Sequence, residues 1–248
     1  MASLTGGTPT PETLFADRLQ ADPGGPLVTF YDDRTGERAE LSARSLANWV
    51  AKTHFMVQDG LGLGPGDQAV VRLPVHWLAA PILLGCWFAG LEVLGPASPR
   101  AGTASVLFAD AAGLAELAPI PGAEVFAVSL LSMARPDVPP PGAHDYATAV
   151  RPMPDSWATV RAQADPGQPA LDGLDRAGLA SSAARVAGEL GLSAGGRLLW
   201  TTEWSGPADW VAALLAPLAV RGSVVLVAHP DPARSAARAA TEQVTLSH

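Results

Sequence analysis

Cysteine and lysine are almost missing from this chain. Cys86 is the single cysteine, so no intramolecular disulfide can form, and a cysteine-based zinc site has no second sulfur. Lys52 is the single lysine, and the remaining basic residues are arginines scattered without any run that makes a patch. A formal net charge of −8 argues against a protein that tracks nucleic-acid phosphates, which needs clustered cations. Long apolar runs are lacking too. The stretch from Trp77 to Leu91 is uncharged but holds Pro81, Gly85 and Gly90. It falls short of the roughly 20 residues of a membrane span and reads as a buried helix. Residues 1–11 carry no basic region followed by an apolar core, so no secretory signal is expected. The five histidines show no metal-ligand spacing. These absences lead us to expect a cytoplasmic protein without metal, cofactor, membrane or nucleic-acid partner.

What is present is a globular composition, 48% hydrophobic and 16% charged, over 248 residues. One unit is written twice. The first copy starts with a helix through Ser45–Val50, then a glycine turn (Gly60, Gly62, Gly64, Gly66), an apolar strand, a helix, Gly90 and a strand. The second runs Leu179–Leu190, a turn at Gly191–Arg197, an apolar strand, a helix, Gly222 and Val224–Leu226. Helix, turn, strand, helix, strand in this order builds a parallel crossover. The fold class expected is therefore α/β: two related sub-domains with mainly parallel sheets flanked by helices, plus an N-terminal hairpin.

Thr10-Pro11-Glu12 reads as a helix start, and Leu27–Tyr31 with Arg38–Leu41 as a hairpin about a turn at Asp32–Gly36. Strands are expected at 68–73, 105–109 and 124–128, and a helix at 76–90. Residues 135–154 hold six prolines and read as a linker or surface strap. A last helix opens at Asp231-Pro232, and the residues after it read as having no fold of their own. The expected division is a first α/β half at 1–134, a proline-rich connector at 135–169 and a second half at 170–248.

Residues 10–100 resemble the start of the adenylate-forming superfamily of acyl-CoA synthetases, luciferases and peptide-synthetase adenylation domains. The matching positions are Glu40, Leu41, Leu46, Ala47, Leu61, Gly62, Gly64, Pro65, Gly66, Asp67, Pro74, Gly90 and Val93. Leu214–Leu218, Gly222 and Val224–Leu226 are similar to the segment that follows the superfamily's ATP loop. The chain is thus identified as a truncated, degenerate relative of that N-terminal domain, similar to a group of shorter actinobacterial proteins.

The resemblance implies a Ser/Thr/Gly-rich loop ending in Pro-Lys near residues 165–175, whose backbone N–H groups and lysine would wrap the ATP phosphates. The sequence there is Asp165-Pro166-Gly167-Gln168-Pro169-Ala170-Leu171-Asp172-Gly173, with no Ser, Thr or Lys and two aspartates. The superfamily's aromatic-Gly-x-Thr-Glu motif, ribose-binding aspartate and catalytic lysine of a mobile C-terminal domain have no counterpart. No catalytic residue is carried over.

The candidate ligand-binding residues are Trp200, Thr202, Glu203 and Trp204 at the expected end of a strand, with His76 and Trp77 at the corresponding point of the first copy. The competing reading is a packed tryptophan pair beside a solvated glutamate. His229 and His76 are a conceivable acid–base pair that no sequence feature joins. Gly191-Leu192-Ser193-Ala194-Gly195 matches the G-x-S-x-G elbow of hydrolases, but follows a helix and precedes a strand, the reverse of what that elbow needs. Cys86 reads as a core thiol.

The reading that results is a non-catalytic, acyl-CoA-synthetase-like module that binds an acyl or aryl small molecule or a protein, possible as a homodimer. The alternatives are an active AMP-dependent ligase completed by a partner chain, and a serine hydrolase using Ser193.

Overall fold

The computed structural model describes residues 7–131 and 135–248. In chain order the elements are α1 (Pro11–Ala21), β1 (Pro26–Asp32), β2 (Glu37–Ser42), α2 (Ala43–Phe55), β3 (Gln68–Arg72), α3 (Ala79–Phe88), β4 (Glu92–Leu94), β5 (Val106–Ala109), α4 (Ala111–Glu116) and β6 (Glu124–Ala127). There follow β7 (His144–Asp145), α5 (Tyr146–Val150), β8 (Pro169–Leu171), β9 (Leu174–Asp175), α6 (Arg176–Leu190) and β10 (Arg197–Trp200). The chain continues with α7 (Pro207–Trp210), α8 (Ala216–Ala219), β11 (Ser223–Ala228), α9 (Pro232–Thr241) and β12 (Leu246–Ser247). The chain packs as two compact units. Among the described residues, unit 1 gathers 7–45, 165–168 and 174–248; unit 2 holds 46–131, 135–164 and 169–173.

In unit 1 the strand order is β12-β10-β11-β1-β2. All neighbours are parallel except β1 and β2, which form the expected antiparallel hairpin. β11 is buried along its whole length, Ser223 to Ala228, as a strand covered on both faces must be. On one face Leu199, Val225 and Val227 pack against Ala239 of α9 and against Val244 just beyond it. Sequence chemistry sets the helix starts. Thr10 and Thr13 cap α1 reciprocally (2.8 and 3.3 Å), and the Asp175 carboxylate accepts Gly178 N–H (2.6 Å) at the start of α6.

Unit 2 carries a second sheet in the order β7-β6-β5-β3-β4-β8, parallel throughout. Its α3 is apolar all round and buried at every one of its ten residues. Val70, Leu94, Ala104, Leu107 and Ala109 pack together beneath Leu114, Leu117 and Ile120.

The expected fold class is borne out, and the internal repeat extends to single hydrogen bonds. Glu92 N–H donates to Asp67 O (3.1 Å) and Ser223 N–H to Gly196 O (3.0 Å), each joining two parallel strands of one crossover. Both crossover helices end in the same cap. Gly90 and Leu91 donate to Trp87 O and Cys86 O; Arg221 and Gly222 donate to Leu218 O and Pro217 O. The left-handed cap position is therefore Gly90 (φ +92°) in one copy and Arg221 (φ +55°) in the other. Gly222 answers a different need, since a Cβ there would lie 2.2 Å from Gly196 O.

Three sequence expectations need correction. Residues 135–154 are not merely a strap. They contain β7 and α5, and α5 buries Tyr146 completely, with its hydroxyl 2.7 Å from Thr53 Oγ1. The prolines flank this element rather than interrupt it. The C-terminal residues are ordered into β12, which pairs with β10. The helix expected from His76 begins at Ala79, because His76 and Trp77 accept Ala79 and Ala80 N–H in the turn before it.

Candidate functional site at the carboxyl edge of the unit 1 sheet

Open parallel sheets take ligands beyond the carboxyl ends of their strands. In unit 1 this edge is formed by Trp200–Trp204 after β10, His229 after β11, and Asp32–Asp33 at the end of β1. Trp200 is spent on packing. It is 1% exposed, its indole stacks on His248 (4.4 Å between centroids), and Nε1–H donates to Thr202 O (2.6 Å). Thr202 and Glu203 are exposed, and Trp204 is half-buried. The Trp204 indole N–H is buried and has no hydrogen-bond partner among the described residues. Asp209 closes the loop by accepting Ser205 N–H (2.6 Å) and Gly206 N–H (3.2 Å).

The same edge holds a pair that sequence reasoning missed. His229 Nδ1 lies 2.9 Å from Asp32 Oδ1, an oxygen that also accepts Arg34 N–H (2.8 Å). Burial alone would raise the Asp32 carboxyl, but the His229 and backbone hydrogen bonds outweigh it and hold it below its ordinary value. The His229 ring is 41% exposed. His229 stands at φ +50° immediately before Pro230, a conformation disfavoured for a residue preceding proline. Beside it, Asp33 is paired with Arg238 and accepts Asp231 N–H (2.8 Å). The only local signal was the pair of polar turns, Asp32-Asp33 and His229-Pro230. Their adjacency follows from the parallel register that sets Asp32 opposite Ala228.

His76 and Trp77 belong to unit 2, and both are buried. His76 Nδ1 accepts Leu78 N–H (3.2 Å), and Trp77 packs edge-on against Trp49 (5.3 Å). They serve the core of that unit. The glycine turn of the first copy is closed internally, with the Asp67 carboxylate accepting Gly64 N–H (2.9 Å) and Ser105 Oγ–H (3.1 Å).

The segment expected to hold a phosphate loop is committed elsewhere. In unit 2, Ala170 and Leu171 are buried in β8, and Ala170 O accepts the Trp87 indole N–H (2.9 Å). Asp172 N–H donates to Val93 O (3.1 Å), and Gly173 N–H donates to Glu92 Oε1 (2.6 Å). Glu92 also receives Arg100 (2.7 and 2.5 Å) and Gln68 (3.0 Å). Burial pushes the Glu92 carboxyl up, but these donors more than offset it and keep the carboxylate ionised below its ordinary range. In unit 1, Gln168 N–H donates to Asp165 O (3.0 Å), and Pro166 O and Gln168 O accept Ala177 and Arg176 N–H from the first turn of α6. The N–H groups of Gln168, Asp172 and Gly173 are thus in use within the protein rather than turned to an anion. Lys52 is also committed, its Nζ donating to Arg151 O (2.9 Å) and Met153 O (2.7 Å).

Ser193 lies on an exposed turn between α6 and β10, where Ser193 O accepts Gly196 N–H (2.9 Å). No strand precedes it. Burial pushes the Cys86 thiol up to about 12. Among the described residues no cluster of His, Cys, Asp or Glu can hold a metal ion, and no helix is long and apolar enough to cross a membrane.

The fold matches that of adenylate-forming synthetases. Acetoacetyl-CoA synthetase from Streptomyces lividans aligns over 96% of this chain with a TM-score of 0.78 at 21% identity, covering 42% of that enzyme's chain. An acyl-CoA synthetase of Brucella canis aligns over 98% of this chain (TM-score 0.76, 16% identity), covering 48% of its own. A nonribosomal peptide synthetase aligns over 95% (TM-score 0.67, 20% identity), covering 25% of its own. The chain therefore spans less than half of each of these proteins, and the likeness defines the fold. No family model matches the chain. A Mycobacterium tuberculosis protein described as a TIGR03089 family protein is 42% identical over 244 residues, 95% of this chain and 98% of the relative. The chain belongs to the TIGR03089 family.

Proposed function

We propose that this protein is a non-catalytic binding module built on the acyl-CoA synthetase fold, taking an acyl or aryl small molecule at the carboxyl edge of the unit 1 sheet. One observation carries the reading. The segment in the place of the phosphate loop is tied to its own unit by Gly173 N–H on Glu92 and Asp172 N–H on Val93 O, with an ionised carboxylate directly against it. A triphosphate brought there would meet repulsion and occupied donors. Lys52, the chain's lysine, is held by two carbonyls rather than free to neutralise a reacting phosphate. The half-buried Trp204, with its unsatisfied indole N–H, supplies an aromatic face and one donor for a ligand.

Thermal unfolding against ATP, AMP, CoA and a panel of acyl and aryl acids tests this. A ligand at about 100 times its dissociation constant adds about 2.7 kcal/mol. The reading predicts a shift with an acid, lost in Trp204→Ala, and none with ATP or AMP. A shift with either nucleotide would overturn it in favour of a ligase completed by a partner chain.

A further inference from the structure

β2 closes one end of the unit 1 sheet, and β1 is its one strand partner among the described residues. The directions of its backbone groups follow from the ladder. Asp33 N–H donates to Ala228 O (3.1 Å), so the odd-numbered residues of β1 turn their N–H and C=O to β11 and the even-numbered ones to β2. Val28, Phe30 and Asp32 stand opposite Leu41, Ala39 and Glu37, which engage those groups. Arg38 and Glu40 therefore send N–H and C=O outward, at an edge where both residues are exposed. Unpaired backbone groups of this kind are a template for another strand. The Arg38 and Glu40 side chains are 44% and 34% exposed and opposite in charge. A run of one sign would repel a second copy in every register, whereas alternating signs make this edge complementary to itself.

We propose that β2 pairs with β2 of a second copy, antiparallel about a two-fold axis at Ala39, so that the unit 1 sheet runs on across a homodimer. Backbone bonds form only where outward residues of the two copies face each other. An axis at Arg38 or at Glu40 sets that residue opposite itself, like charge on like. An axis at Ala39 sets Arg38 of each copy opposite Glu40 of the other, and each of these two pairs exchanges both N–H···O bonds. Because the joining bonds come from the backbone, Arg38 keeps its 3.0 Å contact with Glu242. The edge involves none of the residues of the proposed function. A strand pair this short falls well below the standard interface of about 1,600 Å², which sets the expected dissociation constant at about 0.1 mM rather than nanomolar.

Sedimentation equilibrium of the full chain between about 10 µM and 1 mM tests it, with a monomer–dimer equilibrium expected across that range. Glu40→Arg sets like charges opposite each other twice and weakens the dimer about tenfold or more. Mixing it in equal amounts with Arg38→Glu opposes the signs again and recovers dimerisation. Ala39→Cys reads the register. At the axis the two copies of residue 39 come within the roughly 4.4–6.8 Å that a disulfide spans, so oxidation links them covalently. Glu37→Cys, whose copies then lie about 13 Å apart along the strand, does not link. A monomer at every concentration up to about 1 mM would overturn the proposal. So would a dimer that Glu40→Arg leaves intact and Ala39→Cys does not link, since it would use another surface. The wild-type measurement and the Ala39→Cys link keep the test decisive if a charge variant fails to fold.

Discussion

Replacing Glu92 examines how firmly the would-be phosphate segment is anchored. The side chain is 7% exposed and accepts from Gly173 N–H, Gln68 and Arg100 at 2.5–3.0 Å. In Glu92→Ala the Gly173 N–H and the Gln68 amide lose an ionised acceptor inside the unit. A buried donor stripped of a charged partner costs about 1.5–3 kcal/mol, so a loss of about 2–4 kcal/mol is expected for the variant. Arg100 is at the surface, and Arg100→Ala should be far milder. The carboxyl is held below its ordinary value of 4.5, so its contribution is present above pH 4.5 and fades as pH falls through the lower native value. Urea unfolding of wild type and Glu92→Gln between pH 7 and pH 3 measures this as a gap that narrows on acidification. A gap unchanged with pH, or a Glu92→Ala cost under about 0.5 kcal/mol, would refute the reasoning.

Other substitutions test the packing. Glu12 and Arg176 form a buried pair at 2.6 Å in unit 1, and burial raises the Glu12 carboxyl against the opposing pull of Arg176. Arg176→Met should cost about 3–5 kcal/mol at pH 7, while adding Glu12→Gln recovers much of the loss; additive costs in denaturant titrations would count against an uncompensated charge. Because the native Glu12 pKa is raised, the Arg176→Met defect should shrink towards pH 4.5, where the neutral acid is favoured; a pH-independent defect would contradict it. Gly222→Ala, whose Cβ would meet Gly196 O at 2.2 Å, should cost about 1–3 kcal/mol, read as a lower urea midpoint. Arg221→Gly should change stability by less than about 1 kcal/mol, since relief of its left-handed φ is offset by a freer unfolded chain. Cys86 should resist a thiol reagent until the protein unfolds; rapid stoichiometric labelling of native protein would show the helix to be open.

Much of the architecture is legible in the residues because it is local or periodic. The duplicated helix–turn–strand–helix–strand order survives into matched hydrogen bonds, and Thr10 and Asp231 cap the helices that Thr10-Pro11-Glu12 and Asp231-Pro232 announce. The missing Ser, Thr and Lys around residue 170 are read from composition alone. What the sequence conceals is either masked or distant. Six prolines mask α5, whose Tyr146 anchors it against Phe108 (6.0 Å between ring centroids). The Asp32–His229 pair joins residues 197 positions apart and exists because β1 lies beside β11, a partnership no local pattern announces. Trp200 and Trp204 look alike in sequence and differ in role, since His248 of the last residues stacks on the first.

The central claim is that this fold has lost its nucleotide chemistry. Exchange of radiolabelled pyrophosphate into ATP, measured with the purified chain, magnesium and a panel of acyl and aryl acids, tests it most directly. The account predicts no exchange above the protein-free rate with any acid. Acid-dependent exchange that Glu92→Ala or a Lys52→Ala variant alters would contradict it, because the segment and the lysine described as structural would then be part of a working adenylation site.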